Sequence, residues 1–316
     1  MYNDCIMKSE LEICIPTYKR PKELRECLES IIAQDEFHSG WVTVRIYDDA
    51  PQDPSYEAIK DIINLYPKQI VYRKNIKNLK TEENISQLLE NSKSTYSLFI
   101  TDDDSFTKNS LQRLRRLFTT HPHLTVVRSS FAIVRDMKDY RTHTLFSRDT
   151  QISQNDISTV ARFFRDSDTL SGTCFLRATQ DIAGYRRHKS SKYPHMYLVG
   201  KSALSGDSYY FSNPLIQHAV GNAVFWEYTR DYMISGIFAM VQDLDILKPG
   251  FFTQAARLVF SSVPYIVFIN LLHPKRLTQF LLVMIEKKYF ILSVFWEGCA
   301  LGVYQLVREK LSQMKN

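Results

Sequence analysis

The feature that most constrains this chain is an alternation of short apolar strands with helical stretches of about 10 to 15 residues through its first 130 or so residues. Leu11, Ile13 and Ile15 alternate with Glu12 and Cys14 in a strand that Pro16 stops. Pro21 then suits the first position of a helix, and Leu24, Cys27, Leu28, Ile31 and Ile32 form one apolar stripe along it. The segment WVTVRIY, residues 41–47, is a β-branched and aromatic strand running into Asp48 and Asp49. A helix from Ser55 to Tyr66, a strand at 70–73, a helix opened by Thr81 and a strand at 96–100 follow. Such alternation implies parallel βαβ units with right-handed crossovers, a Rossmann-like arrangement. Ligands bind such sheets beyond the carboxyl ends of the strands. Pro16–Arg20, Asp48–Asp49 and Asp102–Asp104 all follow strand ends, so they are expected on one edge.

After residue 130 the pattern loosens. It predicts a strand at 130–134, a helix near 157–165, a strand at 170–177 and a helix around 194–204. The five cysteines show no metal-ligand spacing, and no export signal opens the chain, so the cysteines are read as reduced and the protein as cytoplasmic. No G-x-G-x-x-G follows the first strand and no P-loop or G-x-S-x-G elbow occurs, which removes the main support for dinucleotide, P-loop and serine-hydrolase chemistry.

Asp102, Asp103 and Asp104 form a run of like charges whose repulsion something must offset. Helix capping would need only one of them. A calcium loop fails, because Phe106, Thr107 and Arg113 occupy its fifth, sixth and twelfth positions. Hard carboxylates at the end of a buried strand do suit a divalent ion with positions open to phosphate oxygens. Among the histidines, His121, His123, His143, His188 and His218 show no zinc-type spacing, while His195 opens an amphipathic helix in the second half.

In order and spacing, LEICIPTYKRPKELRECLESIIAQ, VRIYDDAPQD and YSLFITDDDSF closely resemble glycosyltransferase family two, over about residues 10–120. The resemblance implies a GT-A fold: a Rossmann-like, mostly parallel central sheet flanked by helices, here with a helical C-terminal extension. The expected organisation is a glycosyltransferase domain over 1–247, its nucleotide-sugar half at about 10–120 and its acceptor-side half at 121–247, followed by a region over 248–316. The resemblance further implies that Pro16, Thr17 and Tyr18 line a nucleoside pocket and that Asp49 or Asp48 accepts from the base. Asp102 goes to the ribose and Asp103 to the metal, Mn²⁺ or Mg²⁺, with Asp104 assisting. A literal D-x-D reading pairs Asp102 with Asp104 instead. The family's acidic pair on the acceptor side is absent, and by position the role of base falls on His195. The second half looks more like the branch that serves bacterial surface polysaccharides, including O-antigen sugar transferases. The Q-x-x-R-W signature of processive polymerases is missing. The implied activity is metal-dependent transfer of one sugar from a nucleotide-diphosphate sugar to a hydroxyl of a lipid-linked oligosaccharide, with inversion. The rivals are a nucleotidyltransferase, which would want glycines in IPTYKRP, and a non-catalytic GT-A-like scaffold at a membrane.

The net charge of +6 is concentrated near the end. Residues 248–316 hold nine Lys or Arg against three Glu, and the rest of the chain balances at 31 of each. Pro264 and Glu297 interrupt the apolar runs there, which argues against spanning helices. Apolar faces flanked by Lys275, Arg276, Lys287, Lys288, Arg308 and Lys310 suggest helices lying on the inner face of the cell membrane, or packed on a second subunit. No nucleic-acid partner is expected.

Overall fold

The computed structural model describes residues 9–52, 54–135, 139–219, 236–261, 263, 264, 267 and 292–313. The chain divides into two compact units. One comprises Met1–Gln154, Thr169–Arg186 and Lys201–Ala223, the other Asn155–Asp168, Arg187–Gly200 and Val224–Asn316.

The first unit opens with β1 (Leu11–Thr17), α1 (Pro21–Ile32), α2 (Asp35–His38), β2 (Val42–Asp48), α3 (Ser55–Leu65), β3 (Ile70–Lys74), α4 (Thr81–Asn91) and β4 (Tyr96–Phe99). The strands lie in the order β3-β2-β1-β4, all parallel, as the alternation predicts. Helices pack on such sheets through one stripe, and α1 buries Leu24, Cys27, Leu28 and Ile31 against the sheet core. Truncating Leu28 to alanine there would cost about 2–5 kcal/mol. Glu12 and Arg45, polar residues inside this apolar region, are buried together as an ion pair at 2.9 Å, which removes the cost of an unpaired charge.

Beyond β4 the sheet becomes mixed. The chain continues through β5 (Ser105–Phe106), α5 (Ser110–Thr120), β6 (Val126–Arg135), β7 (Asp139–His143), β8 (Thr150–Ile152), β9 (Thr173–Leu176), α7 (Ile182–Arg187) and β10 (Ser208–Ala219). Strand β9 inserts antiparallel between β4 and β6, and β10 runs parallel to β6. A mostly parallel sheet thus describes the first four strands, and antiparallel pairs take over after them. Strand β10 escapes the sequence reading because Ser212, Asn213 and Pro214 break its apolar pattern, and its pairing with β6 shifts register between Phe211 and Ile216. Asp102–Asp104 do not cap α5. They form the turn into β5, and Asn109, in the left-handed region, occupies the cap position.

The second unit contains α6 (Ile157–Arg165), α9 (Ile237–Leu247), α10 (Phe251–Phe260) and α11 (Ser293–Gln313). Asp156 caps α6 by accepting from the Thr159 N–H at 3.1 Å. The rings of Phe164 and Phe251 meet edge to face, 5.6 Å apart. Helix α11 packs closely on α10 because it presents glycine there: a Cβ at Gly298 would lie 2.6 Å from the Arg257 carbonyl, and one at Gly302 2.1 Å from that of Ser261. On the other side of α11, Trp296, Val303, Tyr304 and Val307 are exposed. Glu297 pairs with Arg257. No described helix is long and apolar enough to cross a membrane. Cys14, Cys27, Cys174 and Cys299 are free thiols. Cys5, Lys275, Arg276, Lys287 and Lys288 lie outside the described residues, as do the side chains of Arg308 and Lys310.

Candidate active site

The carboxyl ends of β1, β2 and β4 converge, since Thr17 is in register with Asp48 and Cys14 with Phe99. The Asp49 N–H donates to the Thr17 carbonyl at 2.9 Å, which extends the β1–β2 pairing into the loops. The edge expected from the alternation therefore exists.

Asp102 is its centre. Its Oδ2 accepts from the Thr17 hydroxyl at 2.7 Å and from the Tyr18 N–H at 3.3 Å, and its Oδ1 accepts from Arg20 Nη1 at 3.1 Å. Lys19, in the left-handed region with φ 57°, turns the backbone between Tyr18 and Arg20. Burial pushes the Asp102 carboxyl up to about 6, against the downward pull of the Thr17 hydrogen bond and the Arg20 charge, with Asp103 adding upward pressure. Asp103 is the more accessible carboxylate, its side chain 28% exposed against 6% for Asp102, and it accepts from the same Arg20 Nη1 at 2.5 Å. Asp104 is buried. It accepts from the Thr101 hydroxyl at 2.7 Å and from His218 Nδ1 at 2.9 Å.

Arg20 and His218 thus offset the triple Asp. Neither was singled out as a site residue by the sequence. Arg20 lies in IPTYKRP, where its charge was legible and its target was not. His218 comes from β10, and no local pattern links it to Asp104. Because the carboxylate only accepts, Nδ1 carries the proton. Nε2 is buried with no hydrogen-bond partner among the described residues.

Asp48 and Asp49 are both buried but differ in their partners. Asp48 accepts from the Ala50 N–H at 2.9 Å and the Tyr72 hydroxyl at 2.5 Å. Asp49 accepts from the Leu79 and Lys80 N–H groups at 2.7 and 2.8 Å and from Asn75 Nδ2 at 3.1 Å. These bonds hold Lys80 at φ 74° and ψ 158°, a region costly for any residue with a side chain. Pro16 is partly buried, and Tyr18 is 43% exposed beside the Asp102 carboxylate it serves.

His195 belongs to the second unit. It lies in the first turn of α8 (Pro194–Ser205) and is buried, its Nε2 donating to the Asp168 carbonyl at 3.1 Å.

The donor set suits a hard divalent ion in part. Asp103 is accessible and Asp104 adjoins it. Among the described residues no three His, Cys, Asp or Glu side chains form a complete cage. A cation here would need further oxygens, which a diphosphate supplies.

The edge carries a hydroxyl, a guanidinium and clustered carboxylates at the ends of parallel strands, where α/β proteins place their ligand sites. The description "Glycosyl transferase family 2" matches residues 12–193. The chain belongs to glycosyl transferase family 2, and its fold is the GT-A fold of glycosyltransferases. It is 33% identical over 105 residues to the abequosyltransferase RfbV of Salmonella typhimurium, a match covering 33% of this chain and 31% of that one. The chain thus aligns with about a third of that relative's length. Its fold is similar to that of S. aureus TarS 1-349 in complex with UDP-GlcNAc, with a TM-score of 0.64 at 12% identity over 86% of this chain and 78% of that one. It is also similar to the mannosyltransferase PcManGT of Pyrobaculum calidifontis in complex with GDP-Man and Mn²⁺, with a TM-score of 0.52 at 12% identity over 96% and 86%.

Proposed function

We propose that this glycosyltransferase moves one sugar from a nucleotide-diphosphate sugar to a hydroxyl of a lipid-linked oligosaccharide in bacterial surface polysaccharide synthesis. The observation that carries the donor half is the convergence of Thr17, Arg20 and Asp102–Asp104 on one edge of parallel strands. The similarity to the abequosyltransferase supports the polysaccharide half.

Thr17 and Tyr18 hold Asp102 in place for the ribose, and Pro16 lines the nucleoside pocket with them. Asp49 keeps the 75–80 segment against the base side and accepts from a ring N–H. Asp103 and Asp104 would hold Mn²⁺ or Mg²⁺. That ion, when bound, offsets the charge that develops on the departing nucleoside diphosphate. His195 receives the acceptor's proton. Its Nε2 is the protonated nitrogen, because it donates to the Asp168 carbonyl, so Nδ1 is the basic one. Displacement by an acceptor activated in this way inverts the anomeric centre.

For the membrane, the support is α11. The face opposite its glycines presents Trp296, Val303, Tyr304 and Val307 to solvent, in the part of the chain that carries all the excess positive charge. Amphipathic aromatic side chains and basic residues favour the interface of an anionic bilayer. A peripheral enzyme on the inner leaflet would reach an acceptor whose anchor stays in the bilayer.

The experiment is a thermal-shift and hydrolysis panel of UDP-, dTDP-, CDP-, GDP- and ADP-sugars with Mn²⁺. Uracil or thymine donors should be preferred to adenine ones, since their ring N–H suits Asp49 and adenine's ring nitrogens at that edge only accept. A strict adenine preference overturns the base assignment, and no stabilisation or hydrolysis with any donor overturns the function.

A further inference from the structure

Arg20 uses only a fraction of its hydrogen-bonding capacity. Both of its carboxylate contacts run through Nη1, to Asp102 at 3.1 Å and Asp103 at 2.5 Å. Nε and Nη2 make no hydrogen bond among the described residues, and the side chain is 49% exposed. A guanidinium carries five N–H donors in a planar fork that fits two phosphate oxygens at once. Arg20 therefore turns one nitrogen to the protein and keeps the edge that best recognises phosphate unused.

The two carboxylates differ as partners. The contact to Asp102 is screened from water on the carboxylate side, and the Thr17 hydroxyl and Tyr18 N–H also hold that carboxylate. The contact to Asp103 joins two partly exposed groups, and water and salt screen such pairs, so it is the weaker of the two. Asp103 is also the carboxylate best placed to meet a divalent cation, so guanidinium and cation compete for it.

We propose that Arg20 is a place-holding cation: before the donor arrives it neutralises Asp102 and Asp103, and on binding it yields Asp103 and lays its Nε–Nη2 edge on the donor's diphosphate, with Nη1 staying on Asp102. This rests on the donor reading above. It makes Arg20 a diphosphate-binding residue whose absence has opposite effects on the two ligands.

The test compares wild type with Arg20→Gln and Arg20→Lys. Mn²⁺ alone is titrated first. UDP, dTDP, CDP and GDP and their monophosphates are then titrated at saturating Mn²⁺, with circular dichroism and melting curves as controls on folding. In Arg20→Gln, Mn²⁺ alone should bind about fivefold tighter, because its competitor is gone. The diphosphate that wild type binds best should bind about tenfold weaker or worse, with a smaller loss for its monophosphate. Arg20→Lys keeps the charge and loses the fork, so its Mn²⁺ affinity should match wild type while its diphosphate affinity still falls.

Weaker Mn²⁺ binding in folded Arg20→Gln, or equal losses for diphosphate and monophosphate, would overturn the proposal. If Arg20→Gln does not fold, an Arg20→Lys protein that binds the diphosphate as wild type does would overturn it as well. Wild type that binds no nucleoside diphosphate with Mn²⁺ would remove the donor reading, and this inference with it. Wild-type binding with unaltered variants removes this inference alone.

Discussion

Replacing Thr17 with valine removes one hydroxyl from a buried site and keeps the side chain's shape. The hydroxyl donates at 2.7 Å to Asp102, both residues being almost wholly buried, so no water is at hand to replace it. A hydrogen bond to an ionised group is worth about 1.5–3 kcal/mol, and one between neutral groups about 1 kcal/mol. Burial raises the Asp102 carboxyl from its ordinary 3.8 to about 6 in the folded protein. The cost of Thr17→Val should therefore depend on pH. At pH 7.5, with Asp102 ionised, it should be about 2 kcal/mol, and at pH 5, with the folded-state carboxyl mostly protonated, about 1 kcal/mol. By linkage, that difference raises the folded-state pKa of Asp102 by about a further 0.7. The wild type has its own pH signature. A raised folded-state pKa means that the folded state binds the proton more tightly, so this contribution is full below about pH 4 and is lost as pH rises through about 6. Urea denaturation of both proteins in EDTA at pH 5 and 7.5 measures all of this. A cost that is the same at both pH values, or larger at pH 5, would refute the assignment of Thr17 as a donor to an ionised, buried carboxylate.

Three further substitutions separate the parts of the site. Asp103→Asn should change stability by less than about 1 kcal/mol, because it loses a partly exposed ion pair and relieves repulsion with Asp102, yet it should abolish the Mn²⁺-dependent thermal shift by nucleoside diphosphates. Wild-type turnover by this protein would dismiss the metal assignment. His195→Ala should lower turnover by about 10² or more with donor affinity kept; loss of donor affinity with turnover intact would make His195 structural. Charged substitutions at Trp296, Val303 and Tyr304 should abolish sedimentation with anionic liposomes and leave nucleotide binding intact, and high salt should weaken sedimentation of the wild type. They are preferable to truncation after Lys248, which would strip Phe251 from Phe164 and uncover the helical core. Salt-independent solubility of the full chain beside such liposomes would count against the membrane reading.

The sequence by itself determined the parallel half of the sheet, because its information is local. Residues such as Leu24, Cys27 and Leu28 sit at helical spacing within one helix, and Ile13 and Val44 within single strands. The same locality made Thr17 and Asp102–Asp104 readable as strand-end residues, which is where the paired strands put them. Capping was a fair local alternative for the triple Asp, and only the short strand β5 between it and α5 removed it. The antiparallel insertion of β9 and the length of β10 depend on cross-strand pairing and on a register shift beside Pro214, neither of which leaves a periodic trace. What faces the carboxylates was decided by the tertiary structure alone. Arg20 reaches Asp102 and Asp103 because the left-handed turn at Lys19 and the pairing of β1 with β4 bring two distant loops together. His218 reaches Asp104 because β10 returns along β6 to the same sheet. Charge compensation acts through space over a few ångströms, and in this chain the residues that supply it are separated in sequence by most of the sheet.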